Sequence, residues 1–138
     1  MASDPPSDPE VAVILTNSRS FSARDVDGML ACYAPDAVVE DKRHGGLLGT
    51  FAGHAELRAY YEGIFHMATT MHEDLTVLAA RDGVVVADCQ LRGRLAADPQ
   101  GREITAPYGL LVSVRDRLIA RIEIYGDGAE ALEVSGLG

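Results

Sequence analysis

From Met71 to Tyr125 the hydropathy of the chain alternates with a period of two, broken only by short clusters of turn residues. That pattern commits the second half of the sequence to long antiparallel strands. Leu75, Val77 and Ala79 share one face of the first, and Asp82-Gly83 is a hairpin signal. In the next strand, Val84 to Leu95, the side chains of Val85, Ala87, Cys89 and Leu91 point one way and those of Asp88, Gln90, Arg92 and Arg94 the other. One side is therefore core and the other polar. After the turn Asp98-Pro99-Gln100-Gly101, Ile104, Ala106, Tyr108, Leu110, Val112 and Val114 alternate with Thr105, Pro107, Gly109, Leu111 and Ser113. Both faces are largely apolar, so this strand is expected at the centre of the sheet, covered on both sides. Arg115-Asp116-Arg117 turns the chain into a last strand, Leu118 to Tyr125, with Ile119, Arg121, Glu123 and Tyr125 opposite Leu118, Ala120, Ile122 and Ile124. Pro107 and Gly109 predict a bulge or sharp bend that curls the sheet.

An apolar sheet face needs a cover, and upstream of Met71 the spacing is helical. Asp8-Pro9-Glu10 supplies a capping acid, a proline for the first helical position and an acid for the first turn. Val11, Ile14, Leu15 and Phe21 then mark the face of a first helix, with Asn17 and Ser18 on or beside it. Asp25 caps a second helix whose face is Val26, Met29, Leu30 and Tyr33, and Pro35 ends it. Ala37, Val38 and Val39 follow as a strand that ends on adjacent carboxylates, Glu40 and Asp41. Beyond a Gly-rich connection from Lys42 to Gly53, a third helix runs from about His54 to His66 with an apolar and aromatic face of Leu57, Tyr60, Tyr61, Ile64 and Phe65. The tail from Gly126 carries a weak helical stretch that either extends the last strand or closes one end of the cavity. Helices followed by a run of antiparallel strands give an α+β layout, a cone of curled sheet closed by three helices.

The 138 residues suit one domain, read as a disordered leader over residues 1–9 and a single domain over 10–138. A net charge of −9 argues against a nucleic-acid groove or an anionic membrane surface, both of which need clustered Lys and Arg. No stretch approaches the length of a membrane span. Cys32 and Cys89 each sit in an apolar pattern, which is expected of reduced, buried thiols in a cytoplasmic protein. The four histidines lack metal-site spacing, and no cofactor or metal is expected.

A carboxylate where a strand leaves the core lies at the mouth of whatever the fold encloses, which makes Asp41 the first candidate for chemistry. Buried tyrosines must find partners for their hydroxyls, so Tyr33 and Tyr61 are candidates for a polar network inside the fold. Glu73 reads, by pattern alone, as an exposed acid opening a strand. Asn17 reads as an amide bonded to nearby backbone.

The stretch DVDGMLACYAPDAVVED, residues 25–41, together with GHAELRAYYEGIF in the third helix and the closing LIARIEIYGD, resembles the nuclear transport factor 2-like (NTF2-like) superfamily. Within it, the resemblance is to the ketosteroid isomerase and SnoaL-like polyketide cyclase branches. It implies three N-terminal helices packed in a strongly curved, mostly antiparallel sheet, and a homodimer formed through the sheet face. It places the isomerase general base on Asp41 and the supporting tyrosines on Tyr33 and Tyr61. The two oxyanion donors of the isomerases, a tyrosine and a carboxylic acid kept protonated by its apolar site, fall at or beside Asn17 and at Gly109, neither of which can donate as they do. Met71-His72-Glu73-Asp74 is similar to a segment of polyether epoxide hydrolase-cyclases in which a Glu joins the strand-end Asp. That likeness gives Asp41 and Glu73 as an acid-base pair. The substrate-contacting set is Asn17, Tyr33, Tyr61, Phe65, Gly109 and Leu111. The expected activity is cofactor-free proton transfer on a small apolar polyketide, terpenoid or steroid-like molecule, by isomerisation, cyclisation or epoxide opening. A non-catalytic small-molecule binder or structural protein is the alternative, since this fold carries many functions.

Overall fold

The structure, a computed structural model, describes residues 8–138. The leader expected over residues 1–9 lies outside the described residues except for Asp8 and Pro9. Those two begin helix α1 (Pro9–Ser22): the Asp8 side chain accepts the N–H of Glu10 at 3.0 Å, and Pro9 fills a position whose missing N–H costs nothing. Helix α1 buries Ile14, Ser18 and Phe21. Helix α2 (Val26–Leu30) is capped by Asp25, which accepts the N–H of Gly28 at 2.9 Å.

Here the expected boundary moves. Helix α2 stops at Leu30, and Tyr33, read as part of its face, is the first residue of strand β1 (Tyr33–Asp41). The cause is pairing at long range. The last strand, β6 (Leu118–Tyr125), lies parallel to β1, with Ile119 opposite Tyr33 and its N–H on the Cys32 carbonyl at 2.8 Å. Pro35 therefore sits within a strand. The Gly-rich stretch is not an open connection either: it folds into a 3₁₀ turn over Arg43–Gly46 and a short strand β2 (Thr50–Ala52) that pairs with β1.

Helix α3 (Gly53–Met67) leads directly into β3 (Ala68–Arg81), β4 (Val84–Leu95), β5 (Glu103–Arg115) and β6, and helix α4 (Gly128–Ser135) closes the described chain. The sheet order is β2-β1-β6-β5-β4-β3, antiparallel throughout except between β1 and β6. The hairpin turns form where the sequence marks them. Asp82 and Gly83 both take positive φ (54° and 79°), as do Asp116 and Arg117 (54° and 65°) without a glycine.

Three expectations about the sheet are corrected; in β3 a register shift between Val77 and Ala79 packs Ala79 with the outer cluster and not beside Leu75 and Val77. The β4–β5 register runs unbroken from Val84 opposite Ser113 to Arg94 opposite Glu103, so Pro107 and Gly109 make no bulge. Strand β6 pairs with β5 only from Gly109 onward; Pro107 thus has a neighbour strand on one side only, where a missing N–H is tolerated. The register shift lies instead between Ser113 and Val114, opposite Ala120. That extra residue brings Ile119 onto the same face as Ile122 and Ile124, not opposite them.

Helices α1, α2 and α3 cover the inner face, and the main core lies between them and the sheet, around Met29, Tyr33, Val39, Leu57, Val85, Cys89, Val112 and Ile119. Helix α4 packs on the other face, over Val86, Leu111 and Tyr125, and so does not close the cavity. Asp88, on the polar face of β4, accepts the N–H of Gly128 at 2.9 Å and anchors the first turn of α4. Both cysteines are free and buried. Among the described residues no helix is long and apolar enough to cross a membrane.

Candidate active site

Between the helices and the sheet's inner face lies a cavity of about 130 Å³. Helix α1 contributes Ile14, Asn17 and Phe21, and helix α3 contributes Tyr60, Tyr61 and Ile64. The wall opposite is built by alternate residues of the sheet, among them Leu75, Leu91, Ala106, Leu110, Val112, Ile122 and Ile124. The period-two pattern that makes these strands half-buried is what lines the hollow. Only a few polar groups interrupt this apolar surface: Asn17, Arg43, Glu73 and the tyrosine hydroxyls.

Glu73 is the one carboxylate among the lining residues. It stands on the inward phase of β3, two residues before Leu75, and both its oxygens are engaged. Ser18 on α1 donates to Oε1 at 2.6 Å, and the Tyr108 hydroxyl on β5 donates to Oε2. Its own N–H donates to Ser22 Oγ at 2.9 Å, which fixes the backbone of the strand. Burial pushes the Glu73 carboxyl above its ordinary value, and the Ser18 and Tyr108 hydrogen bonds offset only part of that rise. A carboxyl raised in this way gives up and takes back a proton nearer neutral pH than an exposed one.

Asp41 has a different environment. It is 1% exposed at the end of β1, yet it does not line the cavity. Arg43 donates from Nε to Oδ1 at 3.0 Å and from Nη2 to Oδ2 at 2.7 Å, and the Arg43 backbone N–H adds a third bond to Oδ1 at 3.0 Å. Burial pushes the Asp41 carboxyl up, but these bonds and the guanidinium charge outweigh it and hold the group below the usual carboxylate range. Such a carboxylate is a poor base. Its neighbour Glu40 points to the opposite face, where it pairs with Lys42 and Arg121.

Arg43 does line the cavity. With Nε and Nη2 committed to Asp41, its Nη1 makes no hydrogen bond among the described residues. The guanidinium carbon lies 5.8 Å from the centre of the Tyr108 ring. One tyrosine thus touches both polar poles of the cavity, Glu73 through its hydroxyl and Arg43 through its ring face.

The other candidates divide. Asn17 and Tyr61 line the cavity; Asn17 Nδ2 also donates weakly to the Met29 carbonyl at 3.4 Å. Tyr33 lies behind Tyr61, the two hydroxyls 2.8 Å apart, and desolvation pushes both phenols well up so that they stay protonated. Phe65 packs on Phe21 with ring centres 5.5 Å apart, outside the lining set. Gly109 and Leu111 fall on the other phase of β5, under α4: a Cβ at Gly109 would stand 2.0 Å from the Asp127 carbonyl oxygen. Sequence reasoning missed Arg43, Tyr108 and Ser18 as site residues. For Arg43 the available signal was its two-residue spacing from Asp41; for Tyr108, a hydroxyl on the inward phase of β5. Among the described residues no group of three or more His, Cys, Asp or Glu side chains converges as a metal site would.

No curated protein matches the sequence. Solved structures similar in fold include TerC co-crystallised with polyporic acid, 21% identical over 91% of this chain and 96% of that one, with a TM-score of 0.73. A candidate polyketide cyclase from Xanthomonas campestris pv. campestris is 22% identical over 88% of this chain and 93% of that one, TM-score 0.73. The epoxide hydrolase/cyclase-like enzyme SalBIII, linked to pyran ring formation in the polyether salinomycin, is 13% identical over 84% of this chain and 88% of that one, TM-score 0.72. The helices inside a curved six-stranded sheet are the NTF2-like fold. With the SnoaL-like domain profile matching residues 18–122, a span that runs from Ser18 through Asp41, Arg43, Glu73 and Tyr108 to Ile122, the chain belongs to the SnoaL-like domain family.

Proposed function

We propose that this protein is a cofactor-independent acid-base enzyme of cyclase or isomerase type, acting on a small, mostly apolar carbonyl compound such as a polyketide. Glu73 moves the proton and Arg43 receives the developing charge. The observation that carries this reading is the isolation of Glu73: a single carboxylate in an apolar cavity, raised by burial, with a fixed cation at the other side of Tyr108.

In the forward step the Glu73 carboxylate takes a proton from carbon beside a carbonyl. The C–H electron pair becomes the C=C bond of an enolate, and the carbonyl π pair moves to oxygen, where Arg43 Nη1 donates to it. A preorganised donor of this kind is worth about 3–4 kcal/mol of barrier. Where a C=C bond is conjugated with the enolate, the far carbon of the dienolate takes the proton back from Glu73, which is isomerisation; otherwise the enolate attacks a second carbonyl carbon whose oxygen takes that proton, which is cyclisation. In this reading Asp41 is a positioning residue, which differs from the base role implied by its resemblance: it holds the guanidinium in place. Names given to similar folds, a candidate polyketide cyclase and an epoxide hydrolase/cyclase-like enzyme, support a cyclase-type activity.

The test is α-proton exchange. 2-Tetralone in deuterated buffer, followed by proton NMR, is expected to lose its C1 protons faster with the protein than without it. Glu73→Gln should cut the catalysed rate by at least about 100-fold, the usual contribution of a placed general base. Opening of indene oxide without any tetralone exchange would replace the enolate reading with epoxide chemistry. Binding of both compounds with turnover of neither would make the protein a binder.

A further inference from the structure

Three features of the cavity go beyond what holding an enolate oxygen requires. The first is that Arg43 is the only cation among the lining residues. The second is how firmly it is held: Asp41, itself buried, occupies Nε and Nη2 with paired hydrogen bonds, and the turn that follows fixes the Arg43 backbone N–H on the same carboxylate. A flexible surface arginine would spend its charge on water. This one is held as a rigid fork at the cavity wall, with Nη1 free of hydrogen bonds among the described residues. The third is the surface around it. The Tyr108 ring lies beneath the guanidinium, and Tyr60, also lining the cavity, stacks on Phe51 with ring centres 4.2 Å apart. Arginine set among flat rings favours a planar group bearing an anionic oxygen, because the guanidinium N–H groups pair with the oxygen in its own plane while the aromatic faces cover the rest.

Resting on the acid-base reading above, we infer that the substrate is itself an acid: a planar, conjugated or aromatic molecule whose ionised oxygen, a carboxylate or an acidic enol, is recognised by Nη1 of Arg43, with its apolar body along Ile122, Ile124, Leu110 and Ile14. The Asp41–Arg43 pair is then a specificity device. It presents one positive edge inside a chain whose net charge is −9, so selectivity for acids is set by the cavity and opposed by the long-range field. The solved structure of TerC with polyporic acid shows that a protein of this fold is able to crystallise with an acid.

The experiment measures equilibrium binding, and any α-proton exchange of the ketone in ordinary water returns the same molecule, so it is independent of turnover. Binding of naphthalene-2-carboxylate and of its neutral counterpart 2-acetylnaphthalene is measured by calorimetry at neutral pH on the wild-type protein, on Arg43→Lys, and on the Asp41→Asn/Arg43→Gln double variant, which leaves no buried charge unpaired. In the wild type the carboxylate is expected to bind at least about tenfold tighter than the ketone, as a charge-assisted bond requires. In the double variant the two should bind within about twofold of each other. Arg43→Lys keeps the charge without the fork and should retain part of the preference, which keeps the test available if the double variant does not fold. Equal affinities in the wild type, a preference for the ketone, or binding of neither compound would overturn the inference. Should tetralone exchange persist while the preference fails, only the acid class falls; should the preference hold without exchange, the acid class stands and the enzymatic reading falls.

Discussion

Two carboxylates at this site are pushed in opposite directions by their surroundings, and the protein's response to pH follows from that. Glu73 is raised above its ordinary 4.5 by burial. Between 4.5 and the raised value the folded chain holds a proton that the unfolded chain has released, so stability falls as pH rises through that window and stays lower above it. The same ionisation creates the base, so the rate of α-proton exchange should climb over the pH range in which stability declines. Asp41 works the other way: held below its ordinary 3.8 by Arg43, it contributes stability above that value, and the contribution is lost as pH falls through the lowered one. Denaturant unfolding of wild type and Glu73→Gln at pH 5 and pH 8 separates the two. The variant is expected to be the more stable at pH 8, with the gap narrowing towards pH 5, because an amide of the same shape carries no desolvated charge. A gap independent of pH would mean that Glu73 titrates as an ordinary surface acid.

Individual elements show where the sequence is explicit and where it is silent. Turn chemistry is local, so the hairpins at Asp82-Gly83 and Arg115-Asp116-Arg117 are legible directly, and so is the capping of α1 and α2 by Asp8 and Asp25. Alternation along β4 and β5 is legible too, and it puts Tyr108 and Leu110 on the inner phase. What defeats the pattern is pairing between distant segments. Tyr33 fits a helical face until β6 claims it as a parallel partner, and one unpaired residue at Ala120 reverses the phase of Ile119. The site is legible to the same extent. Glu73 reads by pattern as an exposed acid and is pointed to only by the likeness of its segment to a known one, and its partners Ser18 and Tyr108 are 55 and 35 residues away with nothing local to connect them. Gly109 illustrates the opposite error: aligned with a catalytic position, it serves instead to let the β6–α4 turn approach β5. Gly109→Ala would drive a methyl group into the Asp127 backbone, and neither side can yield cheaply. We expect a loss of about 2–3 kcal/mol in unfolding free energy. Affinity of the surviving folded fraction for naphthalene-2-carboxylate should not change, since the methyl lies on the face away from the cavity. Weakened binding at full stability would return Gly109 to the site.

On the scale of the whole molecule, the outer sheet face is shared between α4 and a charged flank. Helix α4 occupies β4 and β5; the flank on β6 and β1 carries Arg121 between Glu40 and Glu123, with Lys42 on Glu40 and the Tyr125 hydroxyl on Glu123. Two acids and two bases make this flank neutral within a chain of net charge −9, so a second copy meets less repulsion there than over an acidic surface. We propose that the homodimer expected from family resemblance forms there. Light scattering should give twice 14.7 kDa, and Arg121→Glu, which adds a third acid to the flank and removes a base, should shift the mass towards one chain. A mass of one chain for the wild type would dismiss the dimer. The inner face raises a different question, whether its hollow exists for a ligand or is only imperfect packing. The apolar side chains around it forgo the contacts that a filled core would give them, a loss of stability that close packing would recover. Selection for stability alone would fill it, and the means are simple: Ala106 lines the cavity and is only half-buried, with Leu91 opposite. Ala106→Phe is expected to add about 1 kcal/mol to the unfolding free energy while abolishing both ligand binding and proton exchange, the trade that a cavity kept open for function predicts. If the substitution stabilises the protein and leaves binding intact, the ligand lies elsewhere; if it destabilises, the space is already spoken for by neighbouring side chains, and the volume near Tyr108 is not the room in which Glu73 meets a substrate.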